Sequence, residues 1–292
     1  MLRTILIAAL LGCLCCGALG CTDDATADRP DQWLFGGDRG VQLRAPDNYD
    51  HSTAYPLLIV LHGYTASGLL QLVYSRLDLV VEKYGVLVAA PDGTVDEQGN
   101  RFWNATDACC DYGHTGVDDL GYISGLITEI SSVWHVDPKR VYLYGHSNGA
   151  FMSYQLACHY SDKIAAIAVL AGATQLDEAA CEPSEPVSVL HLHGDADNEI
   201  YYAGTAAYPS ASQSTAYWAG YNGCDQTRET YGERLDLDEQ VAGAETVTER
   251  YTGCPDGVDV ELWTLEGSGH IPSHPDAYAD YVWNWLDSHA KR

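Results

Sequence analysis

The ten residues RVYLYGHSNG, at positions 140–149, decide how the rest of the chain is read. RVYLY is a short apolar run of the kind that forms a buried strand, and it stops at Gly145-His146-Ser147-Asn148-Gly149. One serine stands between two glycines, the composition of a sharp strand-to-helix turn that lifts a hydroxyl clear of a sheet edge. Such a turn needs flanking residues without bulk that tolerate strained backbone angles, and Gly145 and Gly149 meet that need. The segment that follows, NGAFMSYQLACHY (148–160), has apolar residues at near-helical spacing, so the strand, turn and helix are all present in order.

A serine hydroxyl becomes a nucleophile only beside an imidazole base that a carboxylate orients. Downstream, the apolar run PVSVLHLHG (186–194) leads into Asp195-Ala196-Asp197, two carboxylates just past the end of a strand-like segment. Further on, VELWTLEGSGH (260–270) ends in His270, again just beyond a strand-like run. The order Ser, Asp, His is that of α/β-hydrolase triads. Ser147 is therefore the expected nucleophile, His270 the base and then acid, and Asp197 the carboxylate that sets the imidazole tautomer. Asp195 competes with Asp197, and His274 with His270, although His274 falls between Pro272 and Pro275 where a terminal helix should begin. His146, His191 and His193 read either as structural histidines beside strand ends or as residues that support the site from behind. The developing oxyanion needs backbone donors. Asn148, directly after the serine, supplies one, and the glycine-rich loop closing YPLLIVLHGYTASG (55–68) the other, with Tyr64 the candidate and Thr65 the alternative.

These stretches resemble the secreted esterase family that contains polyhydroxybutyrate depolymerases and feruloyl or acetylxylan esterases. The resemblance is carried by LHGYTASG (61–68), PDG (91–93), WNATDACCD (103–111), VDDLGYISGLI (117–127), GHSNGAFMSYQLAC (145–158), HLHGDADNEIYY (191–202), YNGC (221–224), YTGC (251–254) and GSGH (267–270). It implies an α/β-hydrolase fold, Asp197 as the triad acid and His270 as its partner, no metal or organic cofactor, and a Cys224–Cys254 disulfide. The family often continues from this histidine into a tryptophan-proline pair, whereas this chain reads His270-Ile271-Pro272, which removes one aromatic wall from the acyl or alcohol pocket. The implied function is an ester hydrolase acting on feruloyl or acetyl esters of polysaccharide, with a polyester depolymerase as the alternative. A non-catalytic carbohydrate-binding lipoprotein is the alternative from another class. Trp103, Tyr201 and Tyr202 are candidates for stacking on substrate, as aromatic side chains in stretches expected near the catalytic edge.

Composition agrees with one enzyme domain. Strand-like runs at 56–61, 85–90, 140–144, 164–170, 187–192 and 259–265 alternate with helix-like segments, which predicts an α/β fold with a mostly parallel sheet covered by helices on both faces. The expected organisation is a leader at 1–20, a polar linker at 21–34, and a single catalytic domain at 35–292 with an irregular insertion at about 200–257. The leader has Arg3, an apolar run from Ile5 to Leu19, and a small-residue end, the parts of an export signal. Ala18-Leu19-Gly20-Cys21 also resembles a loose lipobox, which would lipidate Cys21 and anchor an exported, extracytoplasmic protein to a membrane.

Past Cys21 the remaining cysteines are Cys109, Cys110, Cys158, Cys181, Cys224 and Cys254. Adjacent cysteines rarely bond each other, so Cys109 and Cys110 are expected to meet Cys158 and Cys181, in a pairing that spacing leaves open. No paired C-x-x-C spacing suggests a metal site. The chain carries 41 acidic against 15 basic residues, a net charge of −26. That balance excludes nucleic acid and anionic membrane surfaces as partners, since both require clustered Lys and Arg. Asp118 and Asp119 are expected to cap and complement the start of a helix.

Overall fold

The computed structural model describes residues 29–292; the expected leader and Cys21 lie outside them. Eight strands form one sheet: β1 (Tyr55–Leu61), β2 (Leu87–Ala89), β3 (Val136–His146), β4 (Ala166–Leu170), β5 (Ser188–Gly194), β6 (Arg228–Thr230), β7 (Thr246–Tyr251) and β8 (Val260–Leu265). Their spatial order is 6-7-8-5-4-3-1-2. The run from β8 through β5, β4, β3 and β1 to β2 is parallel, while β7 pairs antiparallel with β8 and β6 antiparallel with β7.

The strands read as continuous apolar runs because both faces are covered. In β1, Leu57, Ile59 and Leu61 join one core while Leu58 and Val60 join the other, the period of two that a pleated strand imposes. The first core packs α3 (Asp119–Val133), α4 (Asn148–His159) and α5 (Ala211–Tyr221) through Ile123, Ile127, Tyr154 and Trp218. The second packs α1 (Gly68–Tyr74), α2 (Val80–Tyr84) and α6 (Ala277–Asp287) through Leu72, Val81, Tyr278 and Trp283.

Three local outcomes differ from the sequence reading. The stretch expected to be a linker packs from Arg29 onward: its guanidinium donates to the Pro46 carbonyl, and Trp33 meets Trp134 edge to face. The insertion is more regular than its polar composition suggested, because it contributes α5 and the edge strands β6 and β7. Asp118 caps α3 by accepting the Gly121 N–H at 2.7 Å, and Asp119, the acidic residue of the first turn, does more than complement the helix start, since it also pairs with Arg39 and accepts the Asn104 N–H.

The cysteine expectation is corrected in part. Cys109 bonds its neighbour Cys110, and Cys158 bonds Cys181, so the two pairs do not cross. The Cα atoms of Cys158 and Cys181 are 5.6 Å apart, within disulfide reach, and Cys109 and Cys110 sit in a separate small core with Phe102, Phe151 and Tyr208. Cys224 bonds Cys254, tying the end of α5 to the turn after β7.

Candidate active site

Four loops that leave the carboxyl ends of parallel strands converge at one edge of the sheet. They follow β1, β3, β5 and β8 and carry Tyr64, Ser147, Asp197 and His270. Ser147 has φ 54 and ψ −120, so the strained backbone angle belongs to the serine itself and not to its glycines. The glycines serve close approach. A Cβ on Gly145 would lie 2.2 Å from the Gly149 carbonyl oxygen, and one on Gly149 would lie 2.2 Å from the Leu61 carbonyl oxygen. Strand β3, helix α4 and the end of β1 therefore touch only because both flanking residues lack a side chain.

His270 Nε2 lies 3.0 Å from Ser147 Oγ, and His270 Nδ1 lies 2.8 Å from Asp197 Oδ2. The other carboxylate oxygen of Asp197 accepts the backbone N–H groups of Glu199 at 2.8 Å and Ile200 at 3.0 Å. Burial acts to raise the Asp197 carboxyl, but hydrogen bonds from His193 and His270 outweigh it and hold the group well below the ordinary carboxylate range. An ionised carboxylate at Nδ1 keeps the proton there and leaves Nε2 free to accept one from the serine hydroxyl. All three side chains are buried, which strengthens these contacts relative to water. The competitors are placed elsewhere: Asp195 accepts the Gly267 N–H at 2.6 Å, and His274 faces the Leu237 carbonyl and stacks on Tyr278.

The loop after β1 lies against the serine, since a Cβ on Gly63 would stand 3.3 Å from Ser147 Cβ. Thr65 already donates its N–H to the Arg101 carbonyl at 2.8 Å. Asn148 uses its side chain to bind the Trp103 backbone from both sides, accepting the Trp103 N–H at 2.7 Å and donating to the Trp103 carbonyl at 3.0 Å. Trp103 itself is fully buried and donates its indole N–H to the His62 carbonyl, so it braces the loop after β1 and cannot stack on a substrate. Tyr201 is exposed, whereas Tyr202 is half-buried with its hydroxyl on Thr264.

The sequence reading missed several contacts. His193 reaches Asp197 Oδ2 at 3.3 Å and the Ile200 carbonyl at 2.8 Å, and behind it His191 links Nε2 to His193 Nδ1 and Nδ1 to the Tyr154 hydroxyl. His191 and His193 are two apart on one strand, so the alternation that places both on one face was a usable signal. His146 faces the His270 carbonyl at 3.0 Å, and burial, then the neighbouring His270, pulls its imidazole down to about 3, so it stays neutral. Asp238, from the insertion, accepts hydrogen bonds on both sides of His270, which no pattern in the chain announced. Among the described residues no cluster of His, Cys, Asp and Glu is arranged to hold a metal ion.

A serine hydroxyl on a strained turn at the end of a parallel strand, facing a histidine and a carboxylate from two later strand ends, defines an α/β-hydrolase scaffold. Within that class the chain belongs to the esterase PHB depolymerase family, whose model matches residues 49–198. Feruloyl esterase B of Piromyces equi is 30% identical over 258 residues, covering 84% of this chain and 45% of that protein. Feruloyl esterase D of Neurospora crassa is 26% identical over 254 residues, covering 83% of this chain and 77% of that protein. The chain thus spans under half the length of the first of these relatives. Among solved structures, the acetyl xylan esterase from Aspergillus awamori shares the fold with a TM-score of 0.61 at 20% identity, over 87% of this chain and 97% of that one.

Proposed function

We propose that this chain is an exported serine carboxylic ester hydrolase acting on feruloyl or acetyl esters of polysaccharide. In this reading Ser147 attacks the ester carbonyl as His270 takes its proton, and Asp197 holds the imidazole and balances the charge that forms on it. The backbone N–H groups of Tyr64 and Asn148 receive the oxyanion, Thr65 being engaged with Arg101. His270 then protonates the departing alcohol, and water activated by the same imidazole releases the acid from Ser147. The observation that carries the proposal is the unbroken pair of hydrogen bonds from Ser147 through His270 to Asp197, anchored on a serine held at φ 54. The substrate class rests on the names of the relatives. Export is supported by three disulfides among the described residues, a bond that persists in oxidising compartments, and by the leader-like first residues. Anchoring through a lipidated Cys21 is part of the same proposal, tested by the mass of the mature N-terminus.

A polyester is the second reading. Leu69, Leu70 and Val73 on α1 and Ile271 beside His270 are exposed apolar side chains, and Tyr74 of α1 donates to the Pro272 carbonyl, which joins the two segments. The deciding experiment measures hydrolysis of p-nitrophenyl acetate, methyl ferulate, acetylated xylan and a polyhydroxybutyrate film, by the wild-type chain and Ser147→Ala. Activity confined to the wild type supports the mechanism, and the ester cleaved selects the substrate. Inactivity on all four, with no labelling of Ser147 by a fluorophosphonate, refutes it in favour of a binding protein.

A further inference from the structure

Glu199 stands at the open side of the site. Its backbone N–H is fixed by Asp197, while its side chain, 62% exposed, brings Oε2 to 3.8 Å from His270 Nε2, the nitrogen that faces Ser147. Among the described residues no Lys or Arg nitrogen lies within 4.0 Å of this carboxylate, and His270 is its one ion-pair neighbour. The other groups around His270 are the Asp197 carboxylate, the neutral, buried His146 ring, 5.1 Å away between centroids, and the buried Asp238 carboxylate that holds Ser268 and Ser273 on either side, so none of them is a cation. Nothing there offsets the negative charge of Glu199.

We propose that Glu199 makes the site prefer esters without a negative charge near the scissile bond, so that acyl groups on neutral sugars are cleaved faster than those beside a uronate or other carboxylate. This rests on the assignment of Ser147 and His270 above. The leaving oxygen must come within hydrogen-bond distance of His270 Nε2 to be protonated, which places the leaving group beside Glu199. A substrate carboxylate about 6 Å from that charge, at a largely solvated effective dielectric constant of about 60, loses roughly fivefold in kcat/KM. The same repulsion acts on the acid product, which leaves the site as a carboxylate, and so favours its release.

The test uses two aryl acetates that differ by one methyl group, 4-acetoxybenzoate and its methyl ester. Between wild type and Glu199→Gln, the ratio of kcat/KM for the anionic to the neutral ester is expected to rise about fivefold, and further in Glu199→Lys. Moderate salt should narrow the wild-type discrimination and leave that of the Gln variant almost unchanged. Inhibition by acetate should strengthen in both variants. An unchanged ratio overturns the proposal, and so does a parallel loss on both esters, which would place Glu199 in the chemistry itself. Ser147→Ala, run beside them, separates this failure from the other: hydrolysis surviving there refutes the nucleophile assignment whatever the ratio does.

Discussion

Asp238→Ala should disable the site from outside it. His270 lies between Ser268 and Ser273, and both are held by one buried carboxylate: Asp238 Oδ2 accepts the Ser268 hydroxyl at 2.6 Å, and Oδ1 accepts the Ser273 N–H at 2.9 Å. The neighbouring Glu239 N–H donates to the Ser273 carbonyl at 2.8 Å, so the insertion grips the histidine loop along its backbone. Each hydrogen bond to a charged group contributes about 1.5–3 kcal/mol. Losing both, and with them the local bond from the Gln240 N–H at 3.1 Å, offset in part by no longer burying a carboxylate, should cost about 2–4 kcal/mol and lower Tm by roughly 5–10 °C. Catalysis should suffer more than stability implies, because a displacement of about 1 Å of a reacting group can cost about 100-fold. Measured well below the new Tm, kcat should fall by about 10- to 100-fold with KM within about threefold of wild type, and Asp238→Asn, which keeps one acceptor oxygen, should lie between. A variant whose Tm drops as expected while kcat stays within twofold would refute the claim that this brace positions His270.

Acid should destabilise the fold. His62, His146, His191 and His274 are held below their ordinary value by burial, His274 down to about 4, so the unfolded chain takes up protons near pH 6.5 that the folded chain refuses. Stability is then full above about pH 6.5 and lost as pH falls, by about 3 kcal/mol from His274 alone at pH 4, while Asp119 and Glu261, raised by burial, oppose the trend. A Tm that holds steady from pH 7 to 4 would contradict this. Removing the His193 donor with His193→Phe should lower kcat about tenfold with little change in KM, by loosening Asp197 and leaving its charge less compensated; equal kcat would make the histidine string purely a packing feature. With a net charge of −26, Tm should climb as NaCl is added, and a flat response would show that self-repulsion is not limiting.

Much of the fold was legible because buried parallel strands must be apolar on both faces. The six strand-like runs fall on β1, β2, β3, β4, β5 and β8, whereas β6 and β7, at an edge with one face towards solvent, were hidden in polar sequence. The residues of the site were legible for a related reason: a nucleophile turn needs its small neighbours in sequence, and strand ends deliver Asp197 and His270 in chain order. What the glycines do was read differently. Their job is contact between backbones, and the strained angle sits on Ser147, a distinction that requires knowing what lies opposite.

Sequence by itself determined the local arrangement: which strands are buried, where the chain turns with a serine at its apex, and the order of the three residues proposed to react. Tertiary structure decided what only distance can decide. Cys109 bonds Cys110 rather than a partner far along the chain, Trp103 is a brace and not a stacking surface, His193 and Glu199 come within reach of Asp197 and His270, and Asp238 holds Ser268 and Ser273 on either side of His270. Propensity, capping and periodicity act over a few neighbouring residues, whereas these contacts join loops from different strand ends, and the sheet order that brings those loops together is set by packing across the whole core.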